Sequence, residues 1–581
     1  MAFNPLLRIA LVCALFFNSG AAFAQLIGRI TDIQTKQPVS YVNYYNLRTE
    51  QGGLSDEAGN FRITQFFPSD TIEFSIIGYK TLRMKATDIR ARPDVQLTEN
   101  LQLLREVPVL AYDKRWHNLL LEARSNFSED AYSSKSYYLL ESFRDSQQVE
   151  LLECFFNATI EGADMGNLQM KSGRFGLNPK DGQVFLSQDI SAAIIQMKTT
   201  ELQRKMPVSP LQLNRKLLKK AYYIRPVQEY TDENGSNIIV LEAEPNRQNS
   251  THFSGKIWID TKYNTILKTI WNIEQTQRHP LLPIFPDDTI LYVNLTVTKT
   301  FETTGKVSSC NRVDFQYELL YKAHGSESPF LIRTNAILNA YKRTENFNLA
   351  HFNLPHDISD YRKIQALPSQ DYFWSHHNEM IIENKRESNE AYLREKASLN
   401  QSNLFTEGFF DENDEGFRWL YYKWSPSHRI FSRDINRPGD QSYTNITGMN
   451  SEKYHLGVQF YLDIYDFTDT TVLLSAVIMD PYTSFYHLPM DSLTFCFINV
   501  YFDLMEIKRL EFVSTCVQKQ WDKARIWNQF EIEKINIKNY QSWLLKDLQR
   551  GNNLQSLITH NDYIKEKLGI DNMAIFGIRR Q

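Results

Sequence analysis

After residue 24 this 581-residue chain has no run approaching the ~18 consecutive apolar residues that a membrane-spanning helix needs. It also lacks a charge excess: 64 Lys and Arg stand against 68 Asp and Glu. Removing residues 1–24, with their one Arg and no acid, moves the formal charge from −4 to −5. That balance has none of the electrostatic footprint of a nucleic-acid binder. Cysteine is scarce. Past Cys13 there are Cys154, Cys310, Cys496 and Cys516, an even number that permits disulfides in an exported chain. No two are spaced like a metal knuckle or redox pair, so they read as small buried side chains. A Gly-x-Ser-x-Gly elbow, which would hold a strained nucleophile, is absent, and Phe253-Ser-Gly255 is hairpin chemistry.

What is present is a folded composition, 42% hydrophobic and 23% charged, enough to bury real cores over about three or four domains. Arg8 precedes an apolar stretch from Ile9 to Phe17, and Ala22-Phe23-Ala24 supplies small residues before Gln25. Residues 1–24 therefore read as a secretory signal. Cys13 lies inside the apolar stretch with Val12 before it, which argues against lipidation.

Residues 26–97 carry the most specific pattern. Leu26, Gly28 and Ile30, and again Ile72, Phe74 and Ile76, alternate with polar residues and so put one strand face inward. Asp56, Gly59 and Asn60 form a turn between two strands. The order Leu26-Ile-Gly-Arg-Ile-Thr-Asp32, Lys36-Gln-Pro38, Asp56-Glu-Ala-Gly-Asn-Phe61 and Gly78-Tyr79 resembles the carboxypeptidase regulatory-like domain. That resemblance implies a transthyretin-like β-sandwich and a non-catalytic attachment.

Past the connector 98–108, Trp116, Leu119, Leu120 and Ala123 recur at helical spacing. Ser136 to Arg144 and Gln148 to Ile160 are strand-like, and are similar to a segment that follows the same module in large envelope proteins. Strands continue at Ile238 to Ala243, Phe253 to Asp260, Thr265 to Ile273, Thr289 to Thr300, Lys306 to Tyr321 and Phe330 to Tyr341. The hairpin bearing Trp258 and Trp271 looks like part of the curved half-barrel of periplasmic lipoprotein carriers. That likeness implies acyl-chain binding on a concave sheet, whereas aromatics on one sheet face are by themselves core.

Prolines at 355, 368, 426 and 438 interrupt residues 346–450, where Glu379 to Lys396 forms a charged helical insert. Asp411-Glu-Asn-Asp-Glu-Gly416 has the opening of a calcium loop, but Tyr422 stands where a bidentate Glu belongs, so it reads as a solvated acidic loop. Further on, Leu456 to Tyr465 and Thr470 to Met479 pair as strands. Phe495 to about Trp527 reads as one helix, with Glu506, Lys508, Arg509 and Glu511 toward solvent. Tyr540 to Gln549 and Asp562 to Leu568 are shorter helices, stopped by Gly551 and Gly569.

Two histidine arrangements resemble metal sites but sit in contexts that argue against them. His324-Gly-Ser-Glu327 with His455, and Arg386 between them, has the order of a zinc carboxypeptidase, but His324 falls in a polar turn. His376 and His377 with Glu379, or His351 with His356, come from single loops that cannot close a site. An outer-membrane barrel needs at least about eight spanning strands, and the helices after residue 450 leave no room for them. The chain also ends Arg579-Arg-Gln581 instead of in the aromatic residue usual for such barrels.

The expected fold is mainly β and multidomain, with a signal over 1–24, an Ig/transthyretin-like sandwich over 25–100 and an antiparallel β-rich domain over 114–345. An irregular connection over 346–450 and an α+β region over 451–581 complete it. The expected function is a non-enzymatic cell-envelope protein acting by protein or ligand binding, on the periplasmic or the outer-membrane and cell-surface side of a Gram-negative type of envelope. Its partner is an envelope protein or an apolar ligand, with no nucleic acid, no transmembrane segment in the mature chain, no cofactor and no assigned catalytic or metal residue. A carrier or chaperone for lipids or outer-membrane proteins is the alternative, and a zinc-dependent hydrolase a minor one. N-terminal sequencing of the native protein is expected to begin at Gln25; retention of residues 1–24 or a lipid on Cys13 overturns the export reading.

Overall fold

The computed structural model describes residues 25–580, apart from 65, 101–113, 181–184, 186, 188–189, 233–234, 248–249, 284–286, 327, 351–358, 368–372, 375–381, 403–421, 432–434, 436–453, 468–469 and 481–483. The fold is mainly β. Seven short strands open it: β1 (Leu26–Asp32), β2 (Asn43–Asn46), β3 (Gln51–Leu54), β4 (Asn60–Ile63), β5 (Thr71–Ser75), β6 (Leu82–Lys85) and β7 (Asp94–Leu97). They form two facing sheets, β4-β1-β7 and β3-β2-β5-β6. Leu26, Ile30, Phe61, Ile72, Phe74 and Val95 fill the space between, as the alternation requires. The turn before β4 is set by Asp56, whose Oδ1 accepts from the backbone N–H of Ala58 at 2.9 Å and of Asn60 at 2.8 Å. Gly59 has φ +77°, and a Cβ there would meet the Ile30 carbonyl at 2.4 Å, so only glycine fits.

Ten longer strands follow: β8 (Ala131–Arg144), β9 (Gln147–Glu161), β10 (Asp164–Leu177), β11 (Tyr222–Thr231), β12 (Asn237–Pro245), β13 (Ser254–Asp260), β14 (Thr265–Thr276), β15 (Thr289–Thr304), β16 (Val307–Lys322) and β17 (Phe330–Arg343). They make one antiparallel sheet in the order β10-β9-β8-β17-β16-β15-β14-β13-β12-β11. Neither β10 nor β11 is anticipated from sequence. In β10, Gly166, Gly173 and Gly176 break the alternation, and tertiary contacts explain it: a Cβ on Gly173 would lie 2.6 Å from Ile364 and 2.9 Å from Cys154 Sγ.

Register sorts the sheet into two faces. Tyr138, Leu140, Leu152, Phe156, Val297, Phe315 and Leu338 share one, called inner here. Tyr137, Leu139, Leu151, Phe155 and Ile337 share the outer one. The opening module lies against the outer face at both ends. Its Tyr41 and Leu54 pack with Ile337 and Phe155, and its Ile77 with Val240 and Trp258. Between these, Phe155 sits 5.2 Å from the Tyr137 ring, 5.4 Å from Phe373 and 5.4 Å from Trp374.

Beyond residue 421, β18 (Tyr422–Lys423), β19 (Tyr454–His455), β20 (Val458–Phe467), β21 (Thr470–Met479) and β22 (Phe485–Tyr486) form a β18-β21-β20 sheet and a β19-β22 pair. They pack on long helices Ser492–Gln518 and Lys523–Leu548 and on the shorter Leu554–Leu568. The single helix expected from Phe495 to Trp527 is therefore two. The chain breaks at Gln520, φ +49°, and Asp522 caps the second helix by accepting from the Arg525 N–H at 2.8 Å. Tyr540 to Gln549 is the end of that second helix rather than a separate one. Glu506, expected in solvent, is buried beneath β21 with Arg509, whose Nη2 lies 2.5 Å from it and whose Nη1 donates to Ser475. Among the described residues no helix is long and apolar enough to cross a membrane.

Charged side chains join these parts. Lys385 lies between Glu57 of the module, at 2.9 Å, and Glu141 of β8. Lys171 of β10 reaches Asp463 of β20 at 2.7 Å, both buried. Replacing Lys385 with Met strands Glu141 without its cation and is expected to cost about 3 kcal/mol or more. Glu57→Gln, on the half-exposed side, should cost less than about 1 kcal/mol. Urea midpoints of the two variants measure the contrast, and equal shifts would show that Lys385 does not hold the junction.

Candidate functional site

Among the described residues the most extensive apolar cluster lies on the inner face of the ten-stranded sheet, and other parts of the same chain cover it. Helix α1 (Lys114–Ser125) contributes Leu120 and Ala123, α2 (Ile190–Gln196) contributes Ile190 and Ile194, and α3 (Arg215–Ala221) contributes Leu218. Met206, Val208, Leu211 and Leu213 lie between the last two, and Tyr361 and Ile364 of α4 (Asp360–Ala366) complete the cover. These pieces are short, and side-chain-to-backbone bonds hold them in place. Arg124 donates to the Leu213 carbonyl at 3.0 Å and Tyr222 OH to the Val208 carbonyl at 2.7 Å. Asn214 caps α3 by accepting from the Leu217 N–H.

Two buried carboxylates fasten the cover to the sheet. Glu150, on the inner face of β9, accepts from Ser142 Oγ at 2.5 Å, from the Ser187 N–H at 2.8 Å and from Tyr361 OH. Ser142 Oγ in turn lies 2.9 Å from Thr334 Oγ1. Desolvation pushes the Glu150 carboxyl above its usual range, although each of these bonds pulls the other way. At the other latch, Asp164 accepts from the Thr199 N–H at 2.9 Å and from Lys299 Nζ at 2.7 Å. Lys299 also donates to the Met197 carbonyl at 2.9 Å. One backbone bridge also ties the cover down, Val208 pairing beside His252 with its N–H donating to the Thr251 carbonyl at 2.9 Å, so opening costs apolar contacts, these polar ties and that bridge.

The residues singled out from sequence lie elsewhere. His324 is exposed in the turn after β16, where its backbone N–H donates to Asp288 at 2.7 Å. His455 is exposed in β19 beside the Phe485 ring, and Arg386 pairs with Glu383 at 3.1 Å. Glu327, His351, His356, His376, His377, Glu379 and Asp411 to Gly416 fall outside the described residues. Among the described residues no group of three or more His, Cys, Asp or Glu is placed to hold a metal ion. Cys154, Cys310, Cys496 and Cys516 are buried and free. Burial pushes the thiols of Cys310 and Cys496 up to about 12, far from reactive thiolates. Sequence reasoning missed Glu150 and Asp164, since a lone acid in an apolar strand shows its partners only when the chain folds.

Residues 26–109 match the family model of the CarboxypepD_reg-like domain, as the opening pattern suggested. No curated protein matches the chain in sequence. Among solved structures it is similar to a putative outer membrane lipoprotein-sorting protein domain from Vibrio parahaemolyticus, at 11% identity and TM-score 0.18, over 40% of this chain and 94% of that one. A LolA superfamily protein from Nitrosomonas europaea matches at 12% identity and TM-score 0.15, over 41% and 94%. The MucA/MucB complex of Pseudomonas aeruginosa matches at 11% and 0.14, over 38% and 92%. At these TM-scores the likeness carries no functional weight.

The raised Glu150 pKa sets a direction for stability. Below about pH 4 the carboxyl is protonated in both folded and unfolded chains, and its contribution is fully present. As pH rises past the unfolded value only the unfolded chain releases the proton, so stability is lost until the folded value is passed. Glu150→Gln removes this dependence. Its stability relative to wild type should therefore climb as pH rises above the ordinary carboxylate range, about pH 4.5, in urea titrations. A difference that stays flat shows that Glu150 ionises in the fold as it does in the open chain.

Proposed function

We propose that this protein is a non-enzymatic binding protein of the cell envelope. The observation that carries the reading is the inner apolar face of the sheet, closed by short helices and loops that Glu150 and Asp164 fasten from beneath. An attached regulatory-like module fits the same reading, because it adds contact surface and no chemistry. The exported, periplasmic or outer-membrane-associated location rests on residues 1–24 and belongs to the same proposal.

A carrier of apolar ligands is the second reading, favoured by the composition of that face. Tyr138, Phe156, Phe315 and Leu338 offer aromatic and aliphatic surface to an acyl chain once the cover lifts. Displacing the cover exchanges one apolar contact for another, so the cost of opening that remains lies in the ties of Glu150 and Asp164.

A peptidase assay with added zinc tests the absence of catalysis. Wild type and His324→Ala are both expected to show no hydrolysis; activity in wild type that vanishes in the variant promotes the hydrolase. Titration with a dansylated fatty acid tests the carrier reading. Saturable fluorescence enhancement that phospholipid competes away supports it, and no enhancement leaves binding to an envelope protein as the function.

A further inference from the structure

The second long helix of the C-terminal part, Lys523–Leu548, has two apolar sides where its packing uses one. Ile526, Phe530, Ile537, Leu544 and Leu548 are buried against the rest of the unit. Advancing by 100° per residue, Ile532, Ile535, Asn539 and Trp543 fall on the opposite side. Ile532 is 53% exposed, Ile535 64% and Trp543 51%. Soluble surfaces carry single apolar residues freely, but an aligned stripe on the solvent side of a helix marks a contact.

The charges around the stripe say what it contacts. Arg525 and Lys546 lie on the same side, one at each end, about 31 Å apart along the axis. Lys538 flanks the middle, and all three are exposed. Nearby acids are occupied: Glu531 pairs with Lys534 at 2.6 Å, and Asp547 accepts from Ser556 and lies 3.1 Å from His560 Nε2. The stripe is thus apolar in the centre and cationic at its rim. A second copy of the chain fits it badly. Antiparallel packing centred between Arg525 and Lys546 sets those two cations against each other, and parallel packing sets each against itself. An anionic lipid surface fits both features, since the cations reach headgroup phosphates while Ile532, Ile535 and the amphipathic indole of Trp543 enter the interface.

We infer that Lys523–Leu548 is a membrane-surface docking helix that lies flat on anionic phospholipid. This is independent of whether the sheet carries a ligand.

Flotation of residues 25–581 with phosphatidylcholine vesicles, with and without phosphatidylglycerol, tests it. Binding is expected on the anionic vesicles and should weaken as salt rises. Ile532→Ser with Ile535→Ser should reduce it at least about tenfold. Lys538→Glu with Lys546→Glu should reduce it at least about fivefold. Thermal midpoints near wild type are required of both pairs, which the exposure of all four residues favours. Brominated lipid should quench tryptophan emission in wild type and less in Trp543→Phe. The inference fails if wild type floats with neither vesicle or equally with both, or if the substitutions leave flotation unchanged. It fails too if wild type sediments as a dimer that Ile535→Ser converts to monomer, for then a second copy occupies the stripe.

Discussion

The ammonium of Lys385 sits where three separate stretches of chain meet, and the arrangement of the outer sheet face depends on it. Glu57 reaches it from the opening module and Glu141 from β8, while Lys385 itself belongs to the insert that follows the sheet. Burial alone would push this lysine toward the neutral form; the two carboxylates outweigh that and hold its pKa above the usual lysine range. The contact works because it is surrounded by apolar packing. Phe155, Phe373, Trp374 and Ile382 keep water from the same face, and the buried Lys385–Glu141 pair orients its parts more than it stabilises them. Neighbouring bonds repeat the theme: Asn384 donates to Asp56 at 2.8 Å, and Arg62 pairs with Glu387 at 2.7 Å.

With one face covered by the module and insert, the other is free to serve a different purpose. Its cover is built from pieces too short to be stable alone, so they exist only while the apolar face holds them. Glu150 and Asp164 supply direction to what would otherwise be non-specific apolar adhesion. Placing acids there has a cost, since each must be desolvated, and the hydrogen bonds from Ser142, Tyr361 and Ser187, or from Thr199 and Lys299, offset it.

Much of the fold was legible in the residues themselves. The alternation in Leu26 to Ile30 and Ile72 to Ile76, the Asp56 turn, and the strands from Ile238 to Tyr341 were all readable because period and turn chemistry are local. So were Asp522-type breaks in principle, though the helical reading from Phe495 ran past this one to about Trp527 and two helices read as one. Strand β10 was not legible, because Gly173 and Gly176 answer to Ile364 and Tyr392, residues about two hundred positions away. Glu506 misled for a similar reason: an acid between apolar neighbours on a helix reads as solvent-facing until β21 and Arg509 close over it.

The sequence by itself determined the β character of the chain and the regulatory-like module, since each depends on residues within a few positions of one another. Only the tertiary structure decided which sheet face is covered by which segment, that Glu150 and Asp164 anchor the cover, and that Ile532, Ile535 and Trp543 stay outside. A strand's two faces are chemically alike when both are apolar, as in Tyr137-Tyr-Leu-Leu140, and what packs on each is set by partners distant in the chain.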